Sequence, residues 1–247
     1  MTDEEIRLMA VEFARRNKIR IAKELTDPAK YAPDIVPISA FMAGSPGAGK
    51  TEFSKSLIKI LEGDNERRVV RIDGDEVRPL IPGYTGNNSY LFQGAISLIV
   101  EKAHDLVLHQ KQSFVLDSTF SKYEKAADNI RRSLEKSRPV FIFYIYQKPE
   151  VAWRFTRARE AAEGRNIPKS AFIEQFLGAR EAVNRVLDDF GDKVVVLFIK
   201  KDFEKNTVED VIKIEPDKPQ IDRYVGEEYT REKLEKYPLF LFKGTEV

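Results

Sequence analysis

The chain has 247 residues and a net charge of +1; 42% of its residues are hydrophobic and 33% are charged. This length and composition allow one large α/β domain with a sizeable core. A nearly neutral chain has no overall basic footprint for nucleic acid or a membrane surface, so we expect neither as a partner. The absence of cysteine excludes disulfides and thiolate metal sites. No signal-peptide core follows residues 1–5, and no stretch approaches the roughly 20 apolar residues of a spanning helix, so we expect a cytoplasmic protein.

The hydrophobic pattern predicts helices alternating with strands along most of the chain. The first helix opens with a possible capping box at Thr2 and Glu5. Helices are predicted at 2–25, 50–61, 89–110, 122–137, 150–163 and 169–190, and strands at 38–43, 69–72, 114–116, 140–146 and 194–199. This alternation predicts an α/β fold with a parallel sheet flanked by helices on both faces. Such sheets bind ligands beyond the carboxyl ends of their strands.

The segment after the first predicted strand fits G-x-x-x-x-G-K-[ST], in which backbone N–H groups and a helix N-terminus hold phosphates. Its residues are Gly44, Ser45, Pro46, Gly47, Ala48, Gly49, Lys50 and Thr51. A glycine-rich turn that binds nothing is the alternative, but a strand before and a helix after favour a P-loop. We predict that Lys50 reaches the β- and γ-phosphates and that Thr51 binds Mg²⁺. No N-K-x-D guanine-reading motif is present, which favours ATP over GTP.

Two acidic residues, Asp73 and Asp75, follow the second predicted strand and are separated by Gly74. The period-two alternation of a strand would point both carboxylates the same way. We predict that Asp73 positions Mg²⁺ or its waters. Asp75, farther toward the acceptor, would accept the proton of the acceptor hydroxyl. An Asp-Gly turn with solvated acids is the alternative.

A further acid, Asp117, ends the third predicted strand and is followed by Ser118 and Thr119. An apolar run closed by Asp is typical of a Walker-B acid that partners Mg²⁺, and Thr119 could hydrogen-bond the acceptor. A helix N-cap is the alternative interpretation of all three residues. Glu101 lies inside the long helix, where a glutamate is usually a solvated surface residue.

The segment 154–168 is rich in arginine and is broken by a glycine and a proline. Planar, permanently charged guanidiniums suit the charge that spreads over a transferring phosphoryl group, and a closing lid excludes water. We predict that Arg159 and Arg165 act in such a lid. Arg154 and Arg157 are interpreted as solvated residues of the same helix.

Taken together, these motifs resemble the zeta toxin family of bacterial P-loop kinases over about residues 37–200. The resemblance rests on the runs 43–51, 72–78 and 116–119, on Glu101, and on Arg159 and Arg165 followed by Pro168. It implies a kinase that uses ATP to phosphorylate the 3′-hydroxyl of UDP-N-acetylglucosamine. It also implies a possible antitoxin partner.

The same resemblance implies a role for each matching residue. Asp75 matches the family's base, and Arg159 and Arg165 match its lid arginines. The residues that would contact the sugar nucleotide are Asp75, Arg78, Glu101, Asp117 and Thr119. This chain has Asp117 where the family carries glutamate, and its two lid arginines lie closer together in sequence.

The domain prediction is a P-loop kinase domain over residues 1–200, including the N-terminal helix, and a C-terminal extension over 201–247 packed on it. The extension has less regular structure, interrupted by Pro216 and Pro219, with a short helix at 230–236. The N-terminal helix is interpreted as a packing helix rather than an antitoxin-like segment. Two other functions stay open: a kinase for a nucleoside, a nucleic-acid end or an antibiotic, and an ATP-binding switch, which would not need Asp75 as a base.

Overall fold

The computed structural model describes residues 1–63, 68–202, 207–215 and 221–236, which form one six-stranded sheet and its surrounding helices. The strands are β1 (Ser39–Ala43), β2 (Val70–Asp73), β3 (Phe114–Asp117), β4 (Val140–Tyr146), β5 (Val195–Lys201) and β6 (Val208–Ile214). The longer helices are α1 (Asp3–Leu25), α2 (Lys50–Glu62), α4 (Gln93–His109), α5 (Tyr123–Leu134), α6 (Pro149–Glu163) and α7 (Lys169–Phe190). The short ones are α3 (Gly74–Val77), α8 (Asp222–Val225) and α9 (Arg231–Lys236). None of the helices in these ranges is long and apolar enough to cross a bilayer.

The strand order is β2-β3-β1-β4-β5-β6, with β6 antiparallel to β5 and every other pair parallel. Alternate residues of β1 enter two different apolar clusters. Phe41 and Ala43 pack with residues of α4, α5 and α7, whereas Ala40 and Met42 pack with residues of α2. Helices therefore cover both faces of the sheet, which confirms the predicted fold class.

The N-terminal helix, which the sequence analysis interpreted as a packing helix, is α1, and it packs along α4. Its first turn carries the capping box, in which the Thr2 hydroxyl accepts the Glu5 N–H and the Glu5 carboxylate accepts the Thr2 N–H. Ala10 and Ala14 are buried against a second apolar cluster that includes Ile99 of α4. Small residues at this contact let the two helix backbones approach closely.

Strand β6 was missed by the sequence analysis, which predicted less regular structure beyond residue 200. Its sequence alternates poorly because charged residues interrupt it, and it lies at the sheet edge where Val208 and Val211 stay exposed. Of its seven residues only Ile214 is buried. An edge strand carries little hydrophobic signal, and charges on it discourage pairing with another chain. The predicted short helix is α9; Pro216 and Pro219 lie outside the described residues.

Candidate active site

The glycine-rich loop carries the chain from the end of β1 into the first turn of α2. Gly44 and Gly47 have φ angles of 134° and 71°, which side chains other than glycine rarely adopt. A Cβ at Gly44 would lie 2.4 Å from the carbonyl oxygen of Ile145, and one at Gly47 would lie 2.0 Å from that of Ala152. The loop is therefore packed tightly against β4 and α6, with no room for side chains at these two positions.

Lys50 is the first residue of α2, and its side chain folds back over the loop. Its Nζ donates hydrogen bonds to the carbonyl oxygens of Gly44 at 3.0 Å and Ser45 at 2.7 Å. Burial lowers the pKa of Lys50 from 10.5 to about 8, although the Asp117 carboxylate opposes this shift. The ammonium group thus lies in the loop where phosphate oxygens would bind. Phosphate oxygens could replace the two carbonyl oxygens as its hydrogen-bond acceptors.

A cavity of about 420 Å³ opens at the carboxyl ends of β1, β2 and β3. From the loop it is lined by Pro46, Gly47, Gly49, Lys50 and Thr51, whereas the remaining predicted loop residues, Gly44, Ser45 and Ala48, are buried. Its acids are Asp73, Asp75, Asp117 and Glu52, and its arginines are Arg78, Arg159 and Arg165. Phosphate-binding groups, acids and arginines that are far apart in sequence therefore face one cavity, at the place where parallel sheets bind ligands.

Asp73 and Asp117 are paired in register on the neighbouring strands β2 and β3. The Nη2 atom of Arg71 contacts both carboxylates, at 2.5 Å from Asp73 Oδ2 and 2.7 Å from Asp117 Oδ2. Ser54 of α2 donates its hydroxyl to Asp117 Oδ2 at 3.0 Å and accepts from Arg71 Nε at 3.1 Å. The two acids are thus held together by one guanidinium that the sequence analysis did not single out.

The expectation that Asp73 and Asp75 alternate along one strand was wrong. The strand ends at Asp73, which caps α3: its Oδ1 accepts the N–H of Asp75 at 2.8 Å. Asp75 therefore lies in the first turn of a helix that begins at Gly74. Burial, together with the charges of Asp117 and Asp75, raises the pKa of Asp73 from 3.8 to about 6.

Asp75 is surrounded by three arginines. Its Oδ1 accepts from Arg78 Nη1 at 2.8 Å, its Oδ2 contacts Arg165 Nη1, and Arg159 Nη2 lies 3.8 Å from the same oxygen. Arg78 also donates to the side-chain oxygen of Gln93 at 3.3 Å. The sequence analysis placed Arg159 and Arg165 in a lid, and the structure brings both to the acid that it interpreted as the base.

The lid is the end of α6 together with the segment that follows it. Helix α6 ends at Glu163 and is capped by Gly164, which has a φ of 70°, and Arg165 comes directly after. Arg159 also pairs with Glu163 at 3.2 Å, one helical turn away. Arg157 pairs with Glu160, and Arg154 lies over the Phe155 ring. Neither Arg154 nor Arg157 lines the cavity, in agreement with their interpretation as surface residues.

The lid end is held by the loop that precedes α4. A Cβ at Gly86 would lie 2.9 Å from the carbonyl oxygen of Glu163, so the two backbones are in direct contact. The Ser89 hydroxyl donates to the carbonyl oxygen of Asn166 at 3.1 Å. The segment that carries Arg165 is thus connected to the start of α4, where Gln93 lines the cavity.

Of the predicted acceptor contacts, Asp75, Arg78, Asp117 and Thr119 line the cavity, but Glu101 does not. Glu101 lies farther along α4, is exposed, and forms an ion pair with Lys125 at 2.9 Å. The prediction that it lines the acceptor site is not supported, because this part of α4 is too far from the carboxyl ends of the strands to reach the cavity. Cavity residues that the sequence analysis missed include Gln93, Ile96, Phe155 and Ile167.

The oxygen atoms at this site fit one Mg²⁺ ion held together with a nucleotide. In the part of the chain that the structure describes, no cluster of three or more His, Asp or Glu side chains could hold a metal alone. Mg²⁺ in kinase sites commonly takes one or two protein oxygens, with phosphates and water completing its shell. Thr51 and Asp117 provide such oxygens on the cavity wall. Both oxygens of Asp73 already accept hydrogen bonds, so Asp117 fits this role better than the predicted Asp73.

The fold, the glycine-rich loop and the arginine lid define an ATP-dependent P-loop kinase. A zeta toxin family model matches residues 21–212. The chain belongs to the zeta toxin family, which confirms the resemblance inferred from its motifs.

Solved structures share this fold at low sequence identity. One is from the PezAT chromosomal toxin–antitoxin system of Streptococcus pneumoniae, with a TM-score of 0.59 and 17% identity, covering 85% of this chain and 81% of that chain. Another is the AvrRxo1-ORF1:ORF2 complex with ATP, with a TM-score of 0.55 and 13% identity, covering 89% of this chain and 69% of that chain. None of the curated proteins searched matches the chain.

Proposed function

We propose that this kinase transfers the γ-phosphoryl group of ATP to a hydroxyl of a UDP-sugar such as UDP-N-acetylglucosamine. The observation that supports the proposal most strongly is the position of Asp75. Its carboxylate lies in the cavity that Lys50 and the P-loop line, and its present partners are arginines. An ATP-binding switch has no need of a carboxylate at this position, whereas transfer to an alcohol needs a proton acceptor.

In the proposed reaction, ATP binding breaks the ion pairs between Asp75 and the lid arginines. Lys50 leaves the loop carbonyls for the β- and γ-phosphates, and Arg159 and Arg165 turn to the γ-phosphoryl oxygens. Asp75 is then free to accept the acceptor's hydroxyl proton. The acceptor oxygen bonds to the γ-phosphorus while the bond from that phosphorus to the β–γ bridging oxygen breaks, and ADP leaves. A Mg²⁺ ion held by Thr51 and Asp117 would neutralise phosphate charge.

The acceptor side of the cavity has groups that suit a sugar nucleotide. Arg78 provides positive charge for a diphosphate, and its partner Gln93 provides an amide. Thr119 adds a hydroxyl, which lies 3.1 Å from the Ser121 hydroxyl. Ile96 and Ile167 provide apolar walls. Glu101 has no part in the proposal, because its ion pair with Lys125 lies outside the cavity.

The acceptor is tested by incubating the protein with ATP, Mg²⁺ and a panel of UDP-sugars, nucleosides, oligonucleotides and aminoglycosides, followed by mass spectrometry. We expect one added phosphate on UDP-N-acetylglucosamine, and none when Asp75→Asn replaces the wild type. The exposed Glu124→Gln variant serves as the matched control and should act like the wild type. Phosphate added only to a different acceptor would refute the UDP-sugar assignment; ATP hydrolysis without any phosphorylated acceptor would favour the switch.

The proposed protein partner is an antitoxin. The PezAT neighbour belongs to a toxin–antitoxin system, and a family member with this site would need to be restrained. The N-terminal helix α1 does not provide that restraint, because it packs on α4 and contributes no residue to the cavity. If the proposal is correct, expression of the wild type alone should stop bacterial growth, and expression of the Asp75→Asn variant should not.

A further inference from the structure

The paired acids at the ends of β2 and β3 repel one another, and one residue of this chain partly neutralises their charge. Asp73 and Asp117 are opposite one another on adjacent parallel strands, and both are buried. Two carboxylates so close together, in a region of low dielectric, repel one another strongly unless a cation lies between them. In many phosphate-transfer sites a divalent metal is that cation.

Here the cation is Arg71. It precedes Asp73 by two residues on β2, so strand alternation brings both side chains to the same face. Its Nη2 contacts Asp73 Oδ2 and Asp117 Oδ2, its Nη1 contacts Glu76, and its Nε donates to the Ser54 hydroxyl. A planar guanidinium suits such a fork of oxygens, whereas an ammonium could not reach all of them.

We propose that Arg71 is a positioning residue that keeps free divalent ions out of the acid pair, so that an ion binds at Asp117 only together with a nucleotide. Its guanidinium occupies the Oδ2 side of both carboxylates, so a divalent ion that joined these oxygens would have to displace it. Asp117 also lines the cavity wall, as Thr51 does. There the two residues could complete the coordination shell of an ion that is already bound to phosphates. Arg71 thus fixes the direction in which Asp117 faces the cavity, where Asp117 would bind Mg²⁺ that arrives together with a nucleotide.

This inference rests on the proposed role of Asp117 in metal binding but not on the identity of the acceptor. It concerns ion binding in the absence of any acceptor, so it can fail while phosphoryl transfer succeeds. Conversely, it can hold even if UDP-sugars prove not to be substrates. Mn²⁺ is a suitable probe, because it replaces Mg²⁺ at oxygen sites and its free ion is counted by electron paramagnetic resonance.

The first experiment titrates the wild-type protein with Mn²⁺, with and without a non-hydrolysable ATP analogue. We expect strong Mn²⁺ binding only in the presence of the analogue, and stronger than the binding that the analogue alone shows without protein. Equally strong binding without nucleotide overturns the proposal. This measurement needs no variant, so it can overturn the proposal even if substitution at Arg71 prevents folding.

The second experiment removes the guanidinium with Arg71→Met. We expect Mn²⁺ without nucleotide to bind about tenfold more tightly, or better, because the acid pair has lost its fixed cation. Adding Asp117→Asn to this variant should abolish the gain, which places the ion at the pair. Unchanged Mn²⁺ affinity in a folded Arg71→Met protein overturns the proposal.

Two further variants separate charge from shape. Arg68→Met removes an exposed arginine three residues earlier, which pairs only loosely with Glu62 at 3.5 Å, and should leave Mn²⁺ binding unchanged. Arg71→Lys keeps the charge but loses the fork. It should still exclude Mn²⁺ without nucleotide, yet bind the Mn²⁺–nucleotide complex more weakly than the wild type. If Arg71→Lys bound Mn²⁺ alone as tightly as Arg71→Met, exclusion by charge would be ruled out.

Discussion

Two arginine–aspartate clusters lie next to each other in this cavity and differ in how they are held. In the first, Arg71 joins Asp73 and Asp117 within two adjacent strands, and the Arg71 side chain is only 10% exposed. In the second, Asp75 is met by arginines of the lid, and the Arg159 side chain is 38% exposed. The first cluster is built into the sheet, whereas the second joins two residues 90 positions apart in sequence, one in α3 and one after the end of α6.

The comparison shows that the secondary-structure elements on which the two charged residues lie determine whether an ion pair is fixed or exchangeable. Strand neighbours cannot separate without breaking the sheet, so the Arg71 cluster persists whatever binds in the cavity. In the proposed reaction the lid arginines would leave Asp75 for the phosphate, because they lie on a separate segment and their pairs with Asp75 are more exposed than those of Arg71: the side chains of Arg165 and Asp75 are 20% and 27% exposed. The first cluster would thus set geometry and the second would respond to ATP.

The largest expected effect tests the exchangeable cluster at its acid. Asp75→Asn should lower kcat by about 10²–10⁴-fold, because the proton acceptor is lost. Affinity for an ATP analogue should be unchanged or higher, since the lid arginines no longer have a competing carboxylate. Steady-state kinetics and calorimetry measure the two quantities. Equal loss of kcat and nucleotide affinity would place Asp75 in the nucleotide site and not at the acceptor.

A smaller effect separates the two lid arginines. Arg165→Met should lower kcat by about 10²–10³-fold, as removal of one donor to a developing charge does elsewhere. Arg159→Met should cost less, because Arg159 lies 3.8 Å from Asp75 and shares its charge with Glu163. The matched control is Arg157→Met, on the same helix but outside the cavity. If that control lost as much activity as Arg165→Met, the lid assignment would be wrong.

The fixed cluster should appear in the pH dependence of stability. Asp73 has a pKa of about 6 in the folded protein and 3.8 in the unfolded chain. Between pH 4 and pH 6 the folded protein therefore binds more protons at this residue than the unfolded chain does. This contribution therefore makes the free energy of unfolding fall as pH rises from 4 to 6, by about 3 kcal/mol at most. Asp73→Asn keeps a capping oxygen and should flatten this slope in urea titrations. Parallel curves for the two proteins would contradict the prediction.

The smallest effect concerns Lys50, which faces both clusters. Its pKa is about 8 without nucleotide, and phosphate oxygens should raise it toward its ordinary value. ATP binding near pH 8.5 should therefore take up protons, and affinity should fall by up to about tenfold per pH unit above 8. Calorimetry in buffers of different ionisation enthalpy detects the uptake. Binding heat that is independent of the buffer would show that Lys50 stays charged in the free protein.

The comparison also shows what the sequence could and could not predict. The phosphate loop and the lid arginines were predictable, because glycines, Lys50 and Arg165 act through local spacing or permanent charge. Arg71 was overlooked as a charge within a strand, although a charge in an otherwise apolar run indicates a buried partner. That partner, Asp117, lies on another strand, and strand order is not written in local spacing. Glu101 was predicted at the site from its motif position, but it lies too far along α4 and pairs with Lys125 outside the cavity.

The contact between Gly86 and the end of α6 has a consequence for the order of events. If the lid moves as proposed, it would not move alone, because its last turn is in contact with a loop that leads toward the helix carrying Gln93. Whatever pulls the arginines toward ATP would also be felt where the second substrate docks. A sugar nucleotide and ATP would then help each other to bind without ever sharing a side chain, and a single methyl group at Gly86 would be enough to weaken that cooperation.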